Sequence, residues 1–358
     1  MNRAERSDIQ GPFPYWGANG IVDRVNDFLF DEELVLVGED GAPFHDPLQD
    51  VAFRVTDKVW VNNHIHVLRP SPDVDSRFLT YALNATDWPL YISGSTRDKL
   101  TQDDMMEVEL WLPDLDIQRA IADHLDTETA RIDALIEKKQ RLLDRLDERI
   151  DAMVSSTIRD SGLVEPSRPA LEIRRLLSKR RRPGTEGQIV TAFRDGQVTA
   201  RTLRRAEGYT EAWTENATFQ QVRRGDVVVH GLDGFAGAVG TCETDGICSP
   251  VYHVMEPLDG GDSDFYGRLL HVLATTGYLG LFAVSTRERA VDFRNWDLFG
   301  RIPIPVVSNE RQREIGGRIR ALRPLRFAVE RSRELALEHR QALVTAAVTG
   351  ELEIPGVA

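Results

Sequence analysis

The sequence predicts an α+β fold in which two globular domains alternate with two long helices that pair as an antiparallel coiled coil. Three observations predict this fold: an internal repeat, two long amphipathic segments, and short β-rich runs separated by turn residues. The chain has 358 residues, of which 41% are hydrophobic, and this is enough for two domains with buried cores.

The repeat consists of short similar segments that recur in the same order at a nearly constant offset. Gln-Arg-Ala-Ile at 118–121 recurs as Gln-Arg-Glu-Ile at 312–315, and each follows a proline-bounded, strand-like run, at 108–113 and 302–305. Three further matches pair residues 35–41 with 228–234, 95–97 with 285–287, and 148–154 with 338–344. Ordered matches of this kind indicate a tandem duplication of one unit, a mixed domain followed by a helix.

Each copy ends in a segment whose apolar residues are spaced three, four or seven apart, which predicts a helix. Residues 114–158 predict a rod about 65 Å long. Its predicted apolar stripe comprises Ile121, Leu125, Ile132, Leu135, Leu142, Leu146 and Met153, and that of the second helix Ile315, Ile319, Leu322, Val329, Leu343 and Val344. Two long uncovered stripes favour mutual packing as a coiled coil. The alternative is that each helix packs only on its own domain.

The repeat divides the chain into five segments. We predict globular domains at 1–113 and 164–306, helices at 114–163 and 307–350, and a tail at 351–358. Gly20 aligns with Gly196, so the first domain lacks a counterpart of residues 164–176. A misplaced start codon, a truncated gene, and a first domain that folds without this element all remain open.

The sequence contains no complete motif for base methylation or ATP hydrolysis. Asp87-Trp88-Pro89-Leu90 lacks the second proline and the aromatic residue of an aminomethyltransferase turn, and no phosphate-binding loop of an ATPase is present. His64 and His66 alternate on a strand-like run without a nucleophile nearby, so we interpret them as polar contacts. We therefore expect no catalytic residue in this chain.

A metal site and a membrane span are also not expected. Cys242 and Cys248, near His230 and His253, match no zinc spacing, and buried thiols in a reducing compartment are the better interpretation. No apolar run reaches about 18 residues, and the polar start at 1–11 lacks a secretion signal. The expected location is therefore the cytoplasm.

Charge is unevenly distributed along the chain. The formal net charge is −13, yet residues 168–224 hold 13 Lys and Arg against six Asp and Glu. Such asymmetry favours a phosphate-facing surface on an acidic body, although a solvated basic loop is an equal alternative. The candidate DNA-binding cations are Lys179, Arg180, Arg181, Arg182, Arg194, Arg201, Arg204, Arg205, Arg223 and Arg224.

Side chains suited to base edges occur in both domains. Arginine can form two hydrogen bonds with guanine, and asparagine can do so with adenine. Asn19, Asn62 and Asn63 are the candidates in the first domain. Arg97 and Arg287 occupy matching repeat positions and are candidates in both domains, with a structural ion pair as an equal alternative.

The helix segments carry a family resemblance. The Leu-Pro-x-Leu-x-x-Gln-Arg-x-Ile-Ala start at 112–122 and the Ala-Leu-Val-Thr-Ala-Ala-Val-Thr-Gly end at 342–350 resemble the conserved helices of type I restriction–modification specificity subunits. Residues 15–20, 61–64, 191–199 and 233–240 resemble their target-recognition domains.

The resemblance implies a bipartite double-stranded DNA target, one half read by each domain, with the helices as a ruler. It also implies partners: modification subunits that hold S-adenosylmethionine and methylate adenine, and a translocating nuclease subunit that uses ATP and Mg²⁺. None of these cofactors is expected on this chain. Two alternatives remain, a truncated or orphan specificity protein and a coiled-coil adaptor without DNA binding.

Overall fold

The computed structural model folds into two compact units. Unit 1 combines Met1–Arg141 with Glu330–Ala358, and unit 2 is Leu142–Val329. Both boundaries fall inside long helices, so each unit contains a globular part and a stretch of each helix. The five-segment division inferred from the repeat stays a prediction. The structure describes residues 1–92, 98–160, 170–184, 186–204, 219–282 and 293–354.

Unit 1 contains two small three-stranded sheets. Its elements, up to and including the first long helix, are α1 (Arg3–Asp8), β1 (Gln10–Gly17), β2 (Gly20–Val25), β3 (Leu34–Gly38), β4 (Ala52–Val55), β5 (Trp60–Val61), β6 (Ile65–Leu68), α2 (Ser76–Asn84), α3 (Gln102–Met106) and α4 (Leu115–Asp160). One sheet has the order β2-β1-β5 and the other β4-β3-β6. All five residues of β3 are buried, and Val35 and Val37 pack in one cluster with Leu83 and Trp88.

Unit 2 contains a four-stranded antiparallel sheet covered by a helix. Its elements are β7 (Ala170–Glu172), α5 (Ile173–Leu176), β8 (Leu177–Arg180), β9 (Pro183–Gly184), β10 (Val190–Ala192), β11 (Val198–Ala200), β12 (Phe219–Val222), β13 (Val227–His230), β14 (Val239–Thr241), β15 (Gly246–Cys248), β16 (Tyr252–Pro257), α6 (Ser263–Thr275), α7 (Trp296–Phe299), β17 (Pro303–Pro305) and α8 (Asn309–Val348). The main sheet has the order β14-β13-β16-β8, and smaller sheets are β15-β12-β9, β10-β11 and β17-β7. Val227 and Val229 pack under Phe265 and Leu269 of α6.

The duplication predicted from the sequence is visible in the elements. β3 lies between antiparallel β4 and β6, and β13 lies between antiparallel β14 and β16. Gly20 and Gly196 both occupy hairpin turns with positive φ, 112° and 85°. The helices that follow, α2 and α6, are both capped by an aspartate, Asp75 and Asp262. The fold class is α+β with two similar globular parts.

The two long helices run antiparallel. In unit 1, Lys139 Nζ donates to Ser332 Oγ at 2.6 Å. In unit 2, Arg326 binds Asp147 at 3.0 Å, and an amino group of Arg318 lies 3.6 Å from the sulfur of Met153. Residue numbers rise along α4 as they fall along α8 in both units, which confirms the predicted direction.

The predicted apolar stripe of α4 is partly wrong in its middle. Leu135 and Leu142 are 47% and 40% exposed. The buried or half-buried seam follows Ile121, Leu125, Thr129, Ile132, Ile136, Lys139, Leu143, Leu146, Ile150 and Val154. Leu135 and Leu142 each precede a seam residue by one position, which places them about 100° around the helix. Spacing alone could not decide which side of a broad apolar face the partner helix covers.

The strand-like run at 108–113 is also not a strand in the described chain. Its counterpart in unit 2, β17, pairs with β7, and Ile304 lies opposite Leu171. β7 is the strand that supplies these hydrogen bonds in unit 2. A run of strand-like sequence forms a strand only when a neighbour supplies hydrogen bonds.

Two adjacent glycines in α8 differ in what surrounds them, which gives a matched test of the junction in unit 2. A Cβ on Gly316 would lie 2.0 Å from Oδ1 of Asp262, whereas a Cβ on Gly317 would meet nothing closer than 4.0 Å. We expect Gly316→Ala to lower the free energy of unfolding by about 1–3 kcal/mol. Gly317→Ala should raise it by up to about 1 kcal/mol, because alanine favours helix. Urea unfolding of both variants measures this, and equal effects would contradict the close contact.

Candidate nucleic-acid interface

Part of the basic stretch predicted from the sequence lines one cleft in unit 2. Lys179 lies on β8, the edge strand of the main sheet, and Arg181 and Arg182 follow it directly. The cleft has a volume of about 360 Å³, and its other lining residues are Pro183, Phe219, Gln220, Pro250 and Tyr252. The structure therefore brings cations and aromatic rings together in one groove, a combination suited to a nucleic acid.

Several of the predicted cations are bound to acidic side chains of the same unit. These ion pairs are Arg180 with Glu256 at 2.8 Å, Arg182 with Asp226 at 2.7 Å and also with Glu256, Arg194 with Asp233 at 2.8 Å, and Arg204 with Asp195 at 2.6 Å. Arg182 is the most buried of these arginines, because its side chain is 17% exposed and Asp226 is 4% exposed. These four side chains hold local structure, so the charge they offer a ligand is reduced.

Other cations are more available. Within the described part of the chain, the side chains of Arg181 and Arg224 have no acidic partner within 4.0 Å, and both residues are exposed. Arg223 donates to the side chain of Gln221, and Arg201 Nε lies 3.4 Å from Thr191 Oγ1. Arg181 is therefore the cation of the cleft that is best placed to meet a phosphate.

Lys179, which lines the cleft, also contacts an aromatic cluster. Its ammonium lies 5.5 Å above the ring of Trp296, and His253 lies against the other side chains of this cluster, with ring centroids 5.4 Å apart from both Trp296 and Phe299. Burial lowers the pKa of Lys179, and the charge of Arg181 lowers it further. Lys179 thus both lines the cleft and packs its ammonium on an aromatic cluster.

The first unit brings two of its three predicted asparagines to one sheet edge. β1 and β5 are parallel, and Asn19 and Asn62 follow their carboxyl ends. The Oδ1 atom of Asn62 is buried and has no hydrogen-bond partner in the structure, whereas Asn63 and Asn19 are exposed. Arg97, Arg205 and Arg287, the remaining predicted site residues, lie outside the described residues.

Sequence reasoning missed the residues that fix each globular part to its helix. Gln118 is 1% exposed; its Oε1 accepts from the backbone N–H of Asp75 at 2.9 Å, and its Nε2 donates to the carbonyl of Pro113 at 2.7 Å. Gln312 repeats this pattern with Asp262 at 3.1 Å and Val307 at 2.7 Å. The repeated Gln-Arg pair was the available signal, but its hydrogen bonds depend on a residue far away in sequence.

The described residues contain no group of three or more His, Cys, Asp and Glu that could hold a metal ion. Cys242 and Cys248 are buried, and burial raises the pKa of each thiol to about 12. His66 contacts the carbonyl of Leu100 at 2.9 Å, and His64 lies 3.6 Å from Asp40. Within the same residues, no helix is both long and apolar enough to cross a membrane.

Comparison with known families gives a match to the N-terminal part of the chain. Residues 4–145 match a family model described as the type I restriction modification DNA specificity domain. The match covers less than half of the chain, so it shows that this part of the chain is similar to that domain. This agrees with the family resemblance of its helix motifs, and the matched residues include α4 up to its middle.

A curated relative belongs to the same class. The chain is 32% identical over 123 residues to S.HindORF215P of Haemophilus influenzae, whose name describes it as a type I restriction enzyme specificity subunit. The match covers 34% of this chain and 31% of the relative, so it spans about a third of the relative's length.

Three solved structures align with the chain at low identity and with TM-scores below 0.5. A crystal structure of the type I restriction–modification S subunit from M. genitalium is 15% identical, with a TM-score of 0.47 over 97% of this chain and 91% of that one. The HsdS subunit from Thermoanaerobacter tengcongensis is 14% identical, with a TM-score of 0.36 over 98% and 93%. A structure described as concerning complex assembly of the type I R-M system has a TM-score of 0.49 and 14% identity, over 97% and 93%.

The buried histidines of unit 2 predict a loss of stability in mild acid. Burial lowers the pKa of His230, His253 and His271, and that of His253 reaches about 4 against 6.5 in an unfolded chain. Below pH 6.5 the histidine is protonated in the unfolded state but stays neutral in the folded state. Stability therefore falls as the pH falls from 6.5 to 4. His253 alone contributes up to about 3 kcal/mol of this loss.

Denaturant unfolding followed by tryptophan fluorescence, at several pH values, measures this loss. The His253→Gln variant is the control, because glutamine can still donate to the carbonyl of Phe293 but does not titrate. Its stability should depend less steeply on pH than that of the wild type. Identical slopes would show that His253 is not held neutral.

Proposed function

We propose that this chain is the DNA sequence-recognition subunit of a type I restriction–modification complex. The observation that carries the proposal is the duplication: the first copy contains the specificity domain match, and the second copy repeats its strand order, its capped helix and its long helix. Two similar readers on one antiparallel helix pair suit a bipartite target, with one half read by each unit.

In unit 2 the cleft around Arg181 supplies the contact surface. Exposed arginines neutralise phosphates, and they can also form paired hydrogen bonds with guanine. In unit 1 the exposed Asn19 and Asn63 present amides suited to adenine. These assignments rest on the geometry of the described residues and on the chemistry of the side chains.

We further propose that the chemistry takes place on partner subunits in the cytoplasm. Modification subunits would hold S-adenosylmethionine and methylate adenine, and a translocating nuclease subunit would use ATP and Mg²⁺. The chain itself would bind double-stranded DNA and these subunits, and it would act without a catalytic residue. The family match to a specificity domain supports this division of roles.

Mapping of methylated bases in host DNA tests the proposal. With the gene present, methyladenine should occur at one split sequence, and deletion of the gene should remove methylation at that sequence alone. Reintroduction of the full chain should restore it. A methylome without such a motif would instead favour an orphan protein that binds partners but not DNA, or a coiled-coil adaptor.

The salt dependence of DNA binding tests the cleft. The double variant Arg181→Ala/Arg224→Ala removes Arg181 of the cleft and Arg224 outside it, two exposed cations with no acidic partner in the described part of the chain. The slope of log affinity against log salt should therefore become shallower by about two phosphate contacts. Arg204→Ala is the matched control, because Arg204 is bound to Asp195 and lies over Phe193. Equal slopes for the double variant and the wild type complex would show that the cleft does not face DNA.

A further inference from the structure

Each unit receives the C-terminal part of one long helix, which we call its return segment. Unit 2 contains residues 142–160 of α4, and unit 1 contains residues 330–348 of α8. Val154 packs in the core of unit 2, and Val344 and Val348 pack in unit 1 against the start of α4. Both return segments thus pack through aliphatic residues, and these apolar contacts alone give little discrimination between them.

In unit 2, the return segment carries the acids and the receiving surface carries the cations. Arg268 of α6 is 9% exposed and binds Asp151 at 2.6 Å and Asp147 at 3.3 Å. Arg326 of α8 also binds Asp147, at 3.0 Å. A unit 2 without its return segment would present Arg268 and Arg326 to whatever docks there.

In unit 1, the polarity of the charges is reversed. Arg340 is on the return segment, and it lies 2.9 Å from Asp133 and 3.8 Å from Asp50. The neighbouring Gln341 donates to the carbonyl of Asn84 at the end of α2, at 3.1 Å. A unit 1 without its return segment would therefore present two aspartates.

The charges of the whole helices agree with this reversal. α4 has 11 acidic and eight basic residues, a net charge of −3, whereas α8 has five acidic and nine basic residues, a net charge of +4. Attraction therefore favours α4 with α8 over either helix with a copy of itself. In a tandem repeat the two halves have similar folds, so one helix could otherwise take the place of the other. The difference in charge distinguishes the two helices.

We infer that the reversed charges around Arg268 and Arg340 select which helix end each unit receives, and so exclude pairing between like halves of two copies of this chain. An α4 end placed on unit 1 would bring Asp147 and Asp151 toward Asp50 and Asp133. An α8 end placed on unit 2 would bring Arg340 toward Arg268. Like charges oppose both arrangements, and the opposition is stronger around Arg268, whose side chain is 9% exposed, than around the exposed Asp50 and Asp133. This selection is independent of whether the chain reads DNA.

Charge reversal in the full chain tests the first part of this inference. Arg268→Asp and Arg340→Asp should each lower Tm by roughly 5–10 °C, because each places an acid against acids. The swapped pairs D151R/R268D and D133R/R340D should recover at least half of that loss. Arg331→Asp, on the same helix as Arg340 but 52% exposed, is the control and should shift Tm by less than about 2 °C. A loss that the swaps do not recover would overturn the assignment of these pairs.

Co-expression of two differently tagged full chains tests whether the charges around Arg340 decide which α8 end unit 1 receives. One copy carries Arg340→Asp and the other Asp133→Arg, so each is mismatched within itself and matched with the other. The two should capture each other about tenfold more than two wild-type copies do, since a matched and a mismatched pair differ by at least that factor. Capture at the wild-type level, or wild-type copies that exchange equally well, would overturn the inference.

Discussion

The buried glutamine at the start of each long helix is the contact on which the rest of each unit depends. Gln118 joins the backbone N–H of Asp75 to the carbonyl of Pro113, and thereby ties the N-terminus of α2 to the first turn of α4. Loss of such a buried bridge leaves backbone groups without partners, at a cost of about 1–3 kcal/mol for each group. Gln312 forms the same two kinds of hydrogen bond for α6 and α8, so both globular parts are attached to their long helices in the same way.

The electrostatics around this common contact have diverged between the copies. In unit 1, Arg77 of α2 binds Asp126 of α4 at 2.9 Å. In unit 2, Asp264 of α6 binds Arg320 of α8 at 2.7 Å. The cation is therefore on the globular part in one copy and on the long helix in the other. Duplicated backbones kept one geometry, while their ion pairs took opposite signs, so the halves are similar in shape and different in what they attract.

The same divergence explains why net charge is a poor guide to the candidate interface. The rest of the chain is acidic, and several cations of the basic stretch form ion pairs with its carboxylates. Arg182, for example, binds both Asp226 and Glu256. What remains for a ligand is a smaller set around Arg181, beside aromatic rings. The charge that matters to a phosphate is this local charge of the groove, because electrostatic affinity depends on nearby cations more than on the net charge of the chain.

The sequence by itself determined the tandem repeat, the two long helices and the α+β class. These follow from local periodicity and self-similarity, which need no knowledge of distant contacts. Only the tertiary structure decided which face of α4 is buried. Leu135 and Leu143 fit similar spacings, but Leu135 is 47% exposed and Leu143 is 8% exposed. It also decided that residues 108–113 form no strand, and that Arg194 and Arg204 are paired while Arg181 is exposed. Folding brings a cation close to an acidic side chain from another part of the chain, and the distance between the two cannot be read from the linear sequence.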